Sequence, residues 1–189
     1  MSSPASPVQR PSSLTTPPSA LADTVSLATI GLPTGKSLVE EDRVELAKKL
    51  LAELGAKLML PVDHVVVSEI AAGAANEVVD TIPEGKIAVD IGPKTIAAFA
   101  QVIAGAKTVI WNGPMGIFEK PPFDNGTVAL AKAVAGSGAT SVVGGGDSEK
   151  AIKVAGVTDK ITHVSTGGGA SLEFLAGIKL PGVAALEQA

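Results

Sequence analysis

Two stretches constrain this chain more than any others: Val142-Val143-Gly144-Gly145-Gly146-Asp147-Ser148 and Val164-Ser165-Thr166-Gly167-Gly168-Gly169-Ala170-Ser171-Leu172-Glu173. Each is a β-branched run, then three glycines, then polar residues that open a helical pattern, the arrangement by which an α/β domain forms an anion site at the end of a strand. Glycine has no Cβ to hold an anion away from the backbone. The helix that follows turns unpaired N–H groups and the positive end of its dipole toward the same point. One such loop is equally well read as a tight strand-to-helix turn. Two of them close together, one carrying a carboxylate, favour a phosphate-binding reading.

The pattern around them is regular from residue 86 onward. Lys86-Ile87-Ala88-Val89-Asp90-Ile91 reads as a strand ending at Gly92-Pro93, and Ile96, Phe99, Ala100 and Ile103 then mark a helical face. Thr108-Val109-Ile110-Trp111 is the next strand, followed by a long irregular connection from Asn112 through Glu119 to Phe123 and a helix near residues 127–135. Strand 141–143 and helix 149–154 follow, then strand 162–165 and helix 170–175. Repeated strand–loop–helix units predict a three-layer αβα domain, a Rossmann-like and mostly parallel sheet with helices on both faces. Ligands of such sheets sit beyond the carboxyl ends of the strands, where Asp90 to Pro93, Asn112 to Glu119, Gly144 to Ser148 and Thr166 to Gly169 all fall.

The first third of the chain is less ordered in pattern. Residues 1–22 are mostly Ser, Pro, Ala and Thr, and we read 1–28 as a disordered tail and 29–189 as the folded domain. The absence of acids before Asp23 suits a transit peptide, but a single arginine there favours a plain tail. Gly31-Leu32-Pro33-Thr34-Gly35-Lys36-Ser37 imitates a P-loop with one residue too few between its glycines. Ser37-Leu38-Val39-Glu40 reads instead as a capping box for a helix with Val44, Ala47, Leu50, Leu51 and Leu54 on its apolar face, closed by Gly55. Of the two apolar runs on either side of Pro61, Lys57 to Leu60 is the stronger strand candidate and His64 to Val67 the weaker.

Composition excludes several classes. Lys and Arg together number 15, only Arg10 and Arg43 being arginines, and the net charge is −4, so no basic stripe offers itself to nucleic acid. Without cysteine there is no thiolate nucleophile, disulfide or Cys-ligated zinc, and the chain suits the cytoplasm. His64 and His163 are too few for a histidine metal centre. No apolar run approaches the length of a membrane span, so no membrane partner is expected.

Longer motifs carry a family resemblance. Trp111-Asn112-Gly113-Pro114-Met115-Gly116-Ile117-Phe118-Glu119 and the two glycine stretches closely resemble phosphoglycerate kinase. Gly35 to Glu40, Leu60-Pro61-Val62-Asp63, Asp90 to Thr95 and Lys179-Leu180-Pro181-Gly182-Val183 resemble it in the same order, from about Gly31 to Leu186. The family transfers a phosphoryl group between ATP and 3-phosphoglycerate, with MgATP or ADP held by its C-terminal domain, and this chain looks like most of that domain. The resemblance implies that Gly92 lines the nucleotide site, Glu119 bonds the ribose, and Asn112 and Pro114 shape the pocket. It implies that Gly145, Gly146, Asp147 and Ser148 handle the phosphates and that Asp147 meets Mg²⁺, a hard cation suited to one carboxylate plus phosphate oxygens and water. Asp147 is also readable as a helix N-cap. Gly167, Gly168 and Gly169 would then offer N–H groups to the phosphoryl in flight. Trp111 is expected in the core and Glu173 in a structural place near a helix start.

The departures from the family are equally specific. The phosphoglycerate domain is absent, and two arginines cannot replace its anion clamp. A Gly-Gly-Ala-Lys-like motif and a nearby Lys are absent too, and by resemblance their segment supplies two strands of this domain. Three readings stay open: a kinase fragment that binds adenine nucleotide but needs the missing domain to use 3-phosphoglycerate, a non-catalytic nucleotide-binding or interaction module, and a fragment that folds only with its missing half.

Overall fold

The computed structural model describes residues 31–187 except 38, 40, 42, 43 and 72. The Ser/Pro-rich stretch and Glu40 lie outside the described residues. Helix α1 (Val44–Leu54) leads through a short 3₁₀ turn to strands β1 (His64–Val67), β2 (Asn76–Val79) and β3 (Ile87–Ile91). Helix α2 (Pro93–Ala104), strand β4 (Thr108–Asn112), α3 (Asn125–Gly136), β5 (Thr140–Gly144), α4 (Gly146–Val154), β6 (His163–Ser165), α5 (Gly168–Leu175) and α6 (Pro181–Glu187) complete the chain.

β4, β5 and β6 form a parallel sheet in that order, with Val109, Trp111 and Val143 on one face. That face is covered by Phe99 and Ile103 of α2, Leu130 and Val134 of α3, and Ala151 and Ile152 of α4, which together make the main apolar core. Trp111 is only 2% exposed, as expected of a core residue. Removing these side chains from water is the largest stabilising contribution available to the domain. On the opposite face Ile110, Val142 and His163 look toward α5 and α6, so helices lie on both sides of the sheet.

β3 does not join that sheet. It pairs antiparallel with β1, which pairs antiparallel with β2 on its other side. Both the parallel and the antiparallel arrangement satisfy a short apolar strand, and here the antiparallel one forms, with β1 as the partner. Asp90 to Pro93 therefore close a different sheet from the one that carries the glycine loops. Val67 and Val89 bury Phe123 from the connection after β4, and Ile117 donates its N–H to Val89 O at 2.9 Å, which ties the two sheets together.

One other expectation is overturned. His64 to Val67 forms the strand, while residues 58–60 form none, because the β-branched valines find pairing partners on both sides. Met59 packs against the core from an irregular segment. The capping box of Ser37 with Glu40 lies outside the described residues; the Ser37 hydroxyl accepts the Ala88 N–H at 3.0 Å, and Lys36 N–H reaches Lys86 O at 2.7 Å. The P-loop look-alike thus lies along β3. Gly35, at φ 57°, has no room for a Cβ beside the carbonyls of Lys86 and Pro83.

Candidate functional site

The last residues of the parallel strands stand in one row, Asn112 beside Gly144 beside Ser165. From this row the chain leaves through the two glycine loops, and the loops touch. Gly145, at φ 93°, caps α4 and donates its N–H to Ser165 O at 3.0 Å. A Cβ on Gly168 would stand 2.7 Å from Gly145 Cα and 3.3 Å from Asn112 Nδ2. No side chain fits between the loops, so backbone meets backbone there. The first turns of α4 and α5 both begin at this contact, which gathers their unpaired N–H groups and positive dipole ends in one place.

Side-chain hydroxyls hold the loops in shape. Ser148 is buried, and its oxygen accepts the Gly113 N–H at 2.6 Å, locking the start of the connection after β4 onto α4. Trp111 Nε1 donates to Gly113 O at 2.5 Å, and Met115 N–H to Thr127 Oγ1 at 3.0 Å. Ser171 Oγ donates to Gly167 O at 2.9 Å and lies 3.1 Å from Ser165 Oγ. Of these hydroxyls only Ser148 was singled out from the sequence; Ser165, Ser171 and Thr127 were not, since isolated hydroxyls carry no spacing signal.

Asp147 is exposed in the first turn of α4, and its carboxylate is paired with Lys150 at 2.9 Å. It is not the N-cap, a position taken by Gly145 without a side-chain bond. The Lys150 ammonium is raised above its ordinary pKa by the hydrogen bond and charge of Asp147, with a further contribution from Glu119. Glu119 therefore faces the same corner from the loop after β4. Gly146 and Gly169 are open to solvent at the helix starts, Gly167 caps α5, and Pro114 is half-buried in the loop. Glu173 is exposed within α5.

Gly92 stands apart, at the end of β3 and the N-cap of α2. Asp63 is fully buried beneath it and binds the start of that helix, accepting Lys94 N–H at 2.9 Å, Thr95 N–H at 2.8 Å and Thr95 Oγ1–H at 2.6 Å. A Cβ on Gly92 would collide with the Asp63 carboxylate. Burial pushes the Asp63 carboxyl up, but the Thr95 hydroxyl, the two amides and the Lys94 charge together hold it below its ordinary value.

Among the described residues no group of three His, Cys, Asp or Glu side chains is placed to hold a metal ion. No described helix is long and apolar enough to cross a membrane.

The fold defines a three-layer α/β domain in which two glycine loops meet, backbone on backbone, at the carboxyl end of the parallel sheet. The phosphoglycerate kinase family model matches residues 20–178, and the chain belongs to that family. It is 86% identical over 158 residues to the phosphoglycerate kinase of Solibacter usitatus, covering 84% of this chain and 40% of that protein. With the phosphoglycerate kinase of Latilactobacillus sakei it is 56% identical over 158 residues, 82% of this chain and 39% of the other. The solved structure of phosphoglycerate kinase from Coxiella burnetii superimposes with a TM-score of 0.81 at 40% identity, over 86% of this chain and 44% of that one. The chain thus spans about two fifths of the length of the curated relatives it matches.

Proposed function

We propose that this chain carries the MgATP- or MgADP-binding part of a cytoplasmic phosphoglycerate kinase, the glycolytic enzyme that moves a phosphoryl group between ATP and the carboxylate of 3-phosphoglycerate. The observation that carries the reading is the contact of Gly168 on Gly145 beside Asn112, which turns two helix starts toward one point. Gly145, Gly146 and Ser148 hold the nucleotide phosphates in place. Asn112 and Pro114 shape the pocket, Glu119 takes the ribose, and Gly92 lines the nucleotide site. The N–H groups of Gly167, Gly168 and Gly169 face the transferring phosphoryl, where positioning and charge stabilisation, not covalent chemistry, lower the barrier.

Asp147 is the residue that would hold Mg²⁺, and its exposed carboxylate must leave Lys150 to do so. Bound there, Mg²⁺ neutralises charge on the phosphate oxygens. Arg10 and Arg43 are the only arginines, too few for a clamp on a phosphate and a carboxylate. The chain alone therefore binds nucleotide and does not phosphorylate 3-phosphoglycerate.

Calorimetric titration of ADP into the purified chain, with and without Mg²⁺, tests this. Saturable, Mg²⁺-dependent binding that Asp147→Asn weakens by roughly tenfold or more is expected. A folded chain that takes up no nucleotide overturns the proposal.

A further inference from the structure

α4 carries two lysines that stand differently toward its dipole. Lys153 lies in the last turn, where a cation suits the negative end of the helix, and it pairs with Glu149 at 2.6 Å. Lys150 pairs instead with Asp147 of the first turn, at 2.9 Å. Helical side chains lean toward the N-terminus, so this pairing draws the Lys150 ammonium toward the end of α4 that opens at Gly145 and Gly146. The dipole there is positive and disfavours a cation. Carboxylates keep the ammonium in place: Asp147 accepts its hydrogen bond, and the charge of Glu119 reaches it from the connection after β4. The pair with Asp147 is held loosely. Lys150 is 67% exposed and Asp147 61%, so water screens their attraction and little is lost when it breaks.

We propose that Lys150 is a further nucleotide-binding residue, whose ammonium turns from Asp147 to the phosphate oxygens of a nucleoside di- or triphosphate when these reach the start of α4. The inference rests on the nucleotide reading above and adds to it a side chain that brings full positive charge. Two features of the corner call for one. Asp147 and Glu119 are both carboxylates, and each repels a polyphosphate. The N–H groups of the glycine loops answer with partial charges alone. Lys150 has a long flexible stem and three donors, so it can leave one oxygen for another without any movement of the helix. A lysine that merely competed with a cation for Asp147 would act in the opposite sense, because its removal would free the carboxylate.

The test compares the full chain with Lys150→Gln, a substitution at an exposed helical position where both residues are good helix formers. ADP is titrated calorimetrically in the presence of Mg²⁺, and adenosine, which has no phosphate, is titrated by NMR. Lys150→Gln is expected to bind ADP about three- to tenfold more weakly, with the gap closing as salt is raised. Its affinity for adenosine and its unfolding midpoint should match those of the parent. Equal affinity of the two proteins for ADP overturns the proposal, as does an equal loss toward adenosine, which would make the effect structural. Tighter ADP binding by Lys150→Gln overturns it as well and makes the lysine a competitor of the cation. In each of these outcomes the parent still binds ADP, whereas a folded parent that binds none fails the nucleotide reading itself and this inference with it.

Discussion

Gly168 packs on Gly145 with no space for a side-chain atom between them, and this contact joins the ends of β5 and β6 into one site. In Gly168→Ala the new methyl must displace the backbone of Gly145, with Asn112 Nδ2 close on the other side. The expected cost is about 1–3 kcal/mol in stability, together with loss of ADP binding. Gly169→Ala is the control, since nothing lies within 4 Å of its Cβ position. Chemical denaturation followed by the single tryptophan, Trp111, reads both variants, because its indole bonds to Gly113 beside the site.

Asp63 sets the start of α2. Asp63→Ala strands the N–H groups of Lys94 and Thr95 in a buried place and should cost about 2–4 kcal/mol. Asp63→Asn keeps one acceptor and should cost less. Because the folded carboxyl lies below its ordinary value, its contribution is present above the ordinary pKa and lost as pH falls through the folded one. Thermal melts of the three proteins between pH 3 and 7 check both the order and the pH trend.

Asp90 behaves in the opposite sense. It is 3% exposed, wedged between Gly116 and Gly126, and burial raises it from 3.8 to about 7 even though the Gly126 and Ile91 amides bond to it; Asp124 adds to the rise. Its folded state holds the proton more tightly than the unfolded chain does, so its own contribution to stability is full below pH 3.8 and is lost as pH rises through about 7. Asp90→Asn should remove that decline, whatever its offset in absolute stability. Urea midpoints measured from pH 5 to 8 show the slope in the parent and its absence in the variant.

His64 is buried beside Asp63, and burial lowers its pKa below 6.5 while the Asp63 charge partly opposes the change. The fold prefers the neutral ring, so its contribution is full above pH 6.5 and falls as pH drops through the folded value. In the Asp90→Asn background, where the opposing trend is gone, stability should decline below pH 6.5, and His64→Phe should abolish that decline. The same urea midpoints, extended to pH 4.5, read it.

The amino-acid pattern by itself determined the elements that depend on near neighbours. β4, β5 and β6 with their helices were legible because β-branched runs, glycine triplets and helical periodicity all act over a few residues, and the helices differ mainly in starting earlier, at Gly146 and Gly168. The order of the glycine motifs likewise identified the family. Only the tertiary structure decided which strands pair and in which direction. β3 went to β1, and the Ser37 hydroxyl took the Ala88 N–H, because these choices turn on partners far away in the chain. Gly92 shows the difference at one residue. Its place before Pro93 marked a helix start, but the reason it must be glycine is the carboxylate of Asp63, which packing alone brings beneath it.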